Sequence, residues 1–478
     1  MIELARNLIN ALNSSEIQYC HWKSNVRLDK GLAGDTDLDL LVKRQHAGLF
    51  SNLVTGLGFK VIRCEVWKDY PSITNYLGLD QETGKLIHLH VHYKLVMGQA
   101  LVKDYHLPIE ELFLEESQMM NGVHIPAPEM ELFVHIFRMA VKQEKFWVRS
   151  MLRRILKRNY QEIQDIKELS WLVIRSDLTR FTEFINKVFN RTLVCDDFIS
   201  TARMPEEVTN SGKLKNIRRS VKIFRRYGTL QSMFVKICRR SLKYLAKVNG
   251  GSGKQYISGG ATVAVLGPDG SGKSTLCEGL RNRIGRKLWV NIFYLGSSQP
   301  TLINRIVRLS VVPLLVPRRI WPKIFWARRL RHYAHGMIEL MNAWDRYYRS
   351  CKGVRLASRG CIVFFDRFPI PGVADQPIVW ENEKEFSSDP LTVWIGGKIR
   401  HFYLQMRRPD FYIHLSLSPE LALARKPEHA LNQLEGKEHR LKDFTERMAS
   451  TGKVTAIDAS SNRENVLCHT LRAVWERL

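Results

Sequence analysis

The residues best equipped for chemistry form one continuous run, Gly267-Pro268-Asp269-Gly270-Ser271-Gly272-Lys273-Ser274, followed by Thr275. The run satisfies the pattern G-x-x-x-x-G-K-[ST], in which glycines let successive backbone N–H groups turn inward around phosphate oxygens. In such a cradle Lys273 reaches the β/γ-phosphates of a nucleoside triphosphate, and the Ser274 hydroxyl sits on Mg²⁺. Gly267, Gly270, Ser271, Gly272, Lys273, Ser274 and Thr275 are therefore the expected ATP-binding residues. A second chemical pair, Asp366-Arg367, ends the apolar run Cys361–Phe365. Asp366 suits a Walker B carboxylate on Mg²⁺, and Arg367 suits a clamp on an anionic acceptor.

The elements around these residues are legible. Ala261–Leu266 (ATVAVL) reads as a buried strand, and Thr275–Ile284 as the opening of a helix, whose N-terminus adds its positive dipole end to the cradle. Cys361–Phe368 (CIVFFDRF) reads as another buried strand, which places Asp366 and Arg367 at a carboxyl end beside the loop. Arg408–Leu415 predicts a third strand, and Ser418-Pro419-Glu420 a helix start leading to Arg425 and Lys426. The basic segment Arg425–Arg440 is expected to close over the triphosphate and exclude water. Ala456–Ser460 (AIDAS) is expected to form a last short strand and turn at the edge of an adenine pocket.

From about Ala261 to Leu478 these pieces, in this order, resemble the thymidylate kinase family, through GPDGSGKST, FFDRF, RPDFYIHLSLSPELALARK, the late IDAS and the helix segment NAWDR (Asn342–Arg346). The resemblance implies a P-loop kinase with a parallel sheet, catalytic Lys273, Asp366, Arg367, Arg425, Asp269 and Arg346, and ATP and Mg²⁺ as cofactors. It implies that Asp269 faces an acceptor hydroxyl, that Arg346 and Arg367 hold the acceptor's phosphate, and that Arg425 and Arg440 act from the lid. The chain departs from the family in Asn291–Ser298, which lacks an acceptor-side arginine. It departs again in Thr301–Tyr333, an acid-free insertion rich in Arg, Trp, Ile, Leu and Pro. A nucleotide, a sugar or a glycan-linked group all remain open as acceptor.

The first third carries a different constellation. Asp35, Asp37 and Asp39 alternate along Gly34–Asp39, so their side chains share one strand face. Paired carboxylates of this kind can hold Mg²⁺ for nucleotidyl transfer, with Asp37 and Asp39 as candidate ligands. With the preceding turn Cys20–Asn25, the segment from Ile2 to about Phe189 resembles the nucleotidyltransferase fold. In that pattern His90, within Ile87–Tyr93, occupies the place of a third carboxylate. Imidazole is a poor ligand for Mg²⁺ and a good one for Zn²⁺ or Mn²⁺. An active transferase, an unusual metal site and a ligand-binding or scaffolding domain are all compatible with these residues.

At 478 residues the chain is expected to hold more than one domain. The expected organisation is an α/β protein: an α+β nucleotidyltransferase-like domain (1–124), a helical extension (125–205), a basic linker (206–256) and the P-loop domain (257–478). A formal charge of +26 points to an anionic partner. No acidic residue occurs from Val208 to Pro268, where Arg and Lys interleave with apolar residues. Together with Leu309–Val316 and Trp321, Phe325 and Trp326, this favours peripheral contact with an anionic membrane over nucleic acid. Eight cysteines without a C-x-x-C pair, an N-terminus unlike a signal peptide and no run of spanning length predict a cytoplasmic protein, peripheral at most to the inner membrane surface. A homodimer is compatible with this reading. The leading functional expectation is ATP/Mg²⁺-dependent phosphoryl transfer. The alternatives are nucleotidyl transfer by the N-terminal domain and an ATP-sensing regulatory module.

Overall fold

A computed structural model of the chain describes residues 1–142, 151–189, 195–204, 212–248, 253–296, 299–311, 325–370, 388–427 and 431–478. They form two compact units, Met1–Lys254 and Gln255–Leu478.

In the first unit, strands β1 (Tyr19–His21), β2 (Leu38–Val42), β3 (Lys60–Arg63), β4 (Ile73–Leu79) and β5 (Leu86–His92) make a mixed sheet of order β1-β2-β5-β4-β3. The β2–β5 pair is parallel and its neighbours are antiparallel. Helices α1 (Glu3–Asn13), α2 (Leu28–Leu32) and α3 (Ala47–Gly56) accompany this sheet. The apolar residues of α1 recur at Ala5, Leu8, Ile9 and Leu12, and they share a core with Leu38, Leu40, Leu89 and Val91. Two short ribbons follow, β6 (Val96–Met97) with β7 (Tyr105–His106) and β8 (Ser117–Met120) with β9 (Val123–Pro126), and α4 (Glu110–Glu115) lies between them in sequence.

The chain continues through helices α5 (Pro128–Lys142), α6 (Met151–Arg175), α7 (Leu178–Phe189), α8 (Cys195–Arg203) and α9 (Lys213–Ser220). Phe133, Phe137, Phe181, Phe184 and Ile217 pack with Cys20, Trp22 and Leu41 in one cluster, so the helices bury their apolar faces against the sheet's own residues. The stretch read as a basic linker contains α9 and the twenty-residue helix α10 (Thr229–Val248). Its uninterrupted amphipathic spacing accounts for this difference.

The second unit opens with β10 (Gln255–Tyr256) and contains a five-stranded, wholly parallel sheet: β11 (Ala261–Leu266), β12 (Val290–Tyr294), β13 (Ile362–Asp366), β14 (Phe411–Ser416) and β15 (Val454–Asp458), in the order β12-β13-β11-β14-β15. Every residue of β11 and β13 is buried, as expected of central strands covered on both faces. The helices are α11 (Lys273–Ile284), α12 (Leu302–Val311), α13 (Phe325–Ala357), α14 (Pro390–Gln405), α15 (Pro419–Arg425), α16 (Leu431–Ala449) and α17 (Arg463–Arg477). Two begin as the sequence signals: Asp389 and Ser418 each accept a backbone N–H of the first turn and are followed by Pro. Much of the expected insertion, including most of Leu309–Val316 and Trp321, lies outside the described residues, as does the side chain of Phe325.

Candidate active site

In the second unit β11 leads straight into the loop Gly267–Gly272 and α11, and β13 lies beside it in parallel. The ends of both strands therefore meet where α11 begins. Backbone geometry explains the glycines. Gly270 has φ +89°, and a Cβ there would lie 2.9 Å from the Ala422 carbonyl oxygen of α15. A Cβ at Gly267 would lie 2.6 Å from Ser271 Oγ. The loop thus closes tightly on its neighbours at the start of α11, with Ser271 N–H donating to the Pro268 carbonyl oxygen (3.2 Å).

Inside the loop, Lys273 is buried and donates to the carbonyl oxygens of Gly267 (2.9 Å) and Pro268 (2.8 Å). Ser274 Oγ donates to Asp366 Oδ2 at 2.5 Å, so the predicted pair of metal-facing oxygens is assembled. The Asp366 carboxylate is itself buried. Ser271 is buried too, and its hydroxyl has no hydrogen-bond partner among the described residues. Thr275, one residue further along α11, is exposed.

Asp269 is the electrostatic centre. Its Oδ1 lies 3.1 Å from Arg367 and 3.9 Å from Lys273, and its Oδ2 lies 3.3 Å from Lys437 on α16. Burial alone would raise its pKa, but the three cations outweigh burial and hold it at about 2. Arg367 has φ +63°, a left-handed conformation uncommon outside glycine, and its guanidinium lies 5.8 Å from the Tyr294 ring centroid.

Arg346, buried on α13, donates from Nε to the Leu295 carbonyl oxygen (2.8 Å) and from Nη1 to the Tyr403 hydroxyl. Leu295 N–H in turn donates to the Asp366 carbonyl oxygen (2.8 Å), so Arg346 is held at the same end of the sheet. The next acidic residue along, Asp345, receives Thr301 N–H (3.0 Å) and Asn304 Nδ2 (2.8 Å) and fixes the start of α12. Arg425, expected to act from the lid, is bonded to backbone. Its Nη2 donates to the Ala459 carbonyl oxygen (3.2 Å) and its Nη1 reaches that of Gly270 (3.5 Å), so it ties α15 to the loop and to the turn after β15. Lys437 is the cation that reaches the centre. Sequence reasoning placed it inside a basic segment, but nothing in its spacing set it apart from Lys426, Arg440 or Lys442.

In the first unit the carboxylate ladder meets a histidine ladder. The parallel register sets Asp39 opposite His90. Asp37 Oδ2 lies 3.0 Å from His88 Nδ1, and Asp39 Oδ1 lies 2.9 Å from His90 Nδ1 and 2.7 Å from Lys23 Nζ. Lys23 and His90 hold Asp39 well below the usual carboxylate range in spite of its burial. Asp35, further out, pairs with Lys85. The site is flanked by buried Glu131, pushed up to about 7 by desolvation, which accepts from Asn25 N (3.0 Å) and Nδ2 (2.8 Å). Asp37 and Asp39 thus reach different partners.

No protein-family model matches the chain. An uncharacterized ATP-binding protein of Escherichia coli K12, YghR, is 29% identical over 192 residues, which is 38% of this chain and 74% of that protein. A second, YghS, is 26% identical over 236 residues, 45% of this chain and 93% of its own length. A thymidylate kinase of Ligilactobacillus salivarius is 21% identical over 225 residues, 44% of this chain and 96% of its length. The chain carries a kinase-like P-loop region. The relatives and the loop geometry together support nucleotide binding there.

Proposed function

We propose that the second unit, with residues 257–478 as its kinase domain, transfers the γ-phosphoryl group of ATP to a hydroxyl or phosphate of a nucleotide, sugar or glycan-linked acceptor. The observation that carries this reading is the convergence of Lys273, Arg367 and Lys437 on Asp269, at the mouth of a loop built for phosphate. Phosphoryl transfer asks the protein for position and charge rather than for covalent chemistry. Lys273 and the loop N–H groups receive the β- and γ-phosphates. Arg367 and Lys437 neutralise charge gathering at the transferred group. Asp269 orients the acceptor hydroxyl and takes its proton as the bond to phosphorus forms. Arg346 holds the acceptor's anionic portion from α13.

The Ser274 hydroxyl and the buried Asp366 carboxylate form an all-oxygen donor pair that fits Mg²⁺. Bound there, Mg²⁺ supplies charge neutralisation between the β- and γ-phosphates. The test is ³¹P NMR of the protein with Mg-ATP and a panel of acceptors including thymidine monophosphate and sugars. The reading expects ADP and a phosphorylated acceptor, both lost in Lys273→Ala. ATP binding without product for any acceptor supports a sensing module instead, and full activity in Lys273→Ala overturns the assignment.

A second reading concerns the first unit, taken as a nucleotidyltransferase-like domain (1–124) with a helical extension (125–205). Asp39 on β2, set in parallel register against β5, is the observation that favours it. It expects pyrophosphate release in the same NMR experiment, lost in Asp37→Ala/Asp39→Ala.

The setting we propose is the surface of an anionic membrane, on the cytoplasmic side. Among the described residues no helix is long and apolar enough to cross one. Helix α10 offers another mode of attachment. Lys236 donates to Gln99 Oε1 (3.0 Å) and Arg239 to the carbonyl oxygens of Leu101 (3.0 Å) and Asp69 (3.1 Å), which docks the polar face inward. Leu230, Phe234, Tyr244 and Val248 are left exposed beside Arg240, Lys243 and Lys247. Apolar anchors among cations, with no acid in the helix, match an anionic lipid surface.

A further inference from the structure

The histidine ladder of the first unit takes part in none of the phosphoryl-transfer chemistry proposed above, and its geometry has a chemistry of its own. His88, His90 and His92 alternate along β5 and so share one face. Asp39 Oδ1 lies 2.9 Å from His90 Nδ1, and His90 Nδ1 lies 3.3 Å from His92 Nε2. All three ligand atoms lie within 4.8 Å of one another. Two donors bound to one metal at about 2.1 Å, at octahedral or tetrahedral angles, stand about 3.0–3.4 Å apart. The two spacings at His90 Nδ1, 2.9 and 3.3 Å, lie close to those edges, and the third is bounded at 4.8 Å.

Hydrogen bonding alone accounts for this cluster poorly. His90 Nδ1 faces the carboxylate and the second imidazole at once. Carrying its proton, it donates to Asp39 and leaves His92 Nε2 a weak second acceptor. Without the proton, it accepts from His92 and turns a lone pair on a carboxylate oxygen. His92 is fully buried, and its Nδ1 has no hydrogen-bond partner among the described residues. One cation bound by all three atoms takes the lone pairs of Asp39 Oδ1, His90 Nδ1 and His92 Nε2, and leaves the His92 proton on its buried Nδ1.

We propose that Asp39 Oδ1, His90 Nδ1 and His92 Nε2 form a binding site for one divalent transition-metal ion of the zinc or cobalt class. Two imidazoles and one carboxylate favour such borderline ions over Mg²⁺, which takes oxygen donors. Lys23 sharpens the selection. Its ammonium lies 2.7 Å from the same Asp39 oxygen and 4.8 Å from the centroid of the Trp22 ring, which packs on His92 at 4.9 Å between centroids. A hard ion held by the carboxylate alone must compete directly with that charge, whereas an ion held also by two imidazole nitrogens loses only part of its binding to the competition. The site needs no assumption about the kinase reaction and stands whether or not that reading holds.

The experiment uses the full-length, untagged chain, stripped with a chelator and kept free of nucleotide so that the phosphate loop recruits no metal. Cobalt(II) is titrated in and followed by its visible ligand-field absorption, and bound zinc is counted by elemental analysis. One equivalent of metal is expected, undisplaced by a tenfold excess of Mg²⁺. His90→Ala, at the most accessible of the two histidine ligands, should weaken binding by about tenfold or more. Lys23→Met should tighten it, because the competing charge is gone. Circular dichroism and ATP binding report whether each variant folds. The proposal is overturned if the wild-type chain shows no ligand-field band, if Mg²⁺ displaces the cobalt, or if folded His90→Ala binds as wild type does.

Discussion

Replacing Asp269 by Asn keeps the side chain's shape and removes its charge from among three cations. Lowering the carboxyl from the ordinary 3.8 to about 2 corresponds to about 2 kcal/mol of interaction with Lys437, Lys273 and Arg367, net of the burial that opposes it. The group is only half-buried, and solvent screening reduces this to about 1 kcal/mol. For a unit the size of Gln255–Leu478, that lowers the melting temperature by roughly 2–4 °C at pH 7. The folded pKa is depressed, so the stabilisation is present above about pH 4 and disappears as pH falls toward 2. The melting difference between wild type and Asp269→Asn should therefore hold constant from pH 8 to about 4 and close below it. Function should move oppositely in its two parts. With one negative charge gone from the phosphate cradle, ATP should bind about fivefold tighter, by roughly 1 kcal/mol at an effective dielectric near that of a protein surface. Turnover should fall by about tenfold or more, because the acceptor hydroxyl loses its base. Isothermal titration with ATP, product formation and thermal melts across pH read the three effects. An Asp269→Asn protein that melts as wild type at pH 7, or that binds ATP more weakly, would refute the electrostatic account.

Two further outcomes follow from the same contacts. Asp366→Asn should lower Mg²⁺-dependent product formation by about a hundredfold or more while leaving the fold in place, measured as kcat against Mg²⁺ concentration; Ser274→Ala, which keeps the carboxylate, should cost less. Phe234→Glu with Tyr244→Glu on α10 should reduce co-sedimentation with phosphatidylserine vesicles by about tenfold or more, with no effect on ATP binding. Binding of the wild type should weaken with salt, and vesicle binding that survives both substitutions would remove α10 as the anchor.

The legible parts of this chain are those in which local pattern and global position coincide. Ala261–Leu266 and Cys361–Phe365 are short runs, apolar except for Thr262, and a covered parallel strand buries such runs on both faces. Their carboxyl ends fix where Ser274 and Asp366 must meet, so the 2.5 Å contact between them was foreseeable from spacing. Lys437 was not. It lies on a helix of mixed charge with its side chain turned into the site, and only the fold of α15 and α16 distinguishes it from its neighbours. Arg425 shows the same limit: its place at the end of a helix start was legible, but its two bonds to backbone carbonyls were not. Tyr403 and Tyr294 were equally hidden, because an aromatic that seats an arginine has no local signature.

The two units use histidine and carboxylate to opposite ends. In the second, His414 on β14 and Glu438 on α16 are buried together at 3.6 Å, with Ser416 donating to Glu438 at 3.1 Å. Such a pair fixes packing. In the first, Asp39 stands at a strand end with two imidazole nitrogens facing one point. Lys23 is close enough to compete for it: its charge stabilises the ionised carboxylate when the chain is empty of ligand, and a bound cation has to replace that partner. Sequence alone treats the Asp-x-Asp and His-x-His-x-His runs as separate strands. The parallel register that sets Asp39 against His90 makes them one site, because a slip of one residue would send every histidine to the opposite face. Register therefore decides the chemistry of the first unit as strand order decides it in the second. The first unit's ligand should thus be sought among metals and their anionic complexes rather than inferred from the kinase.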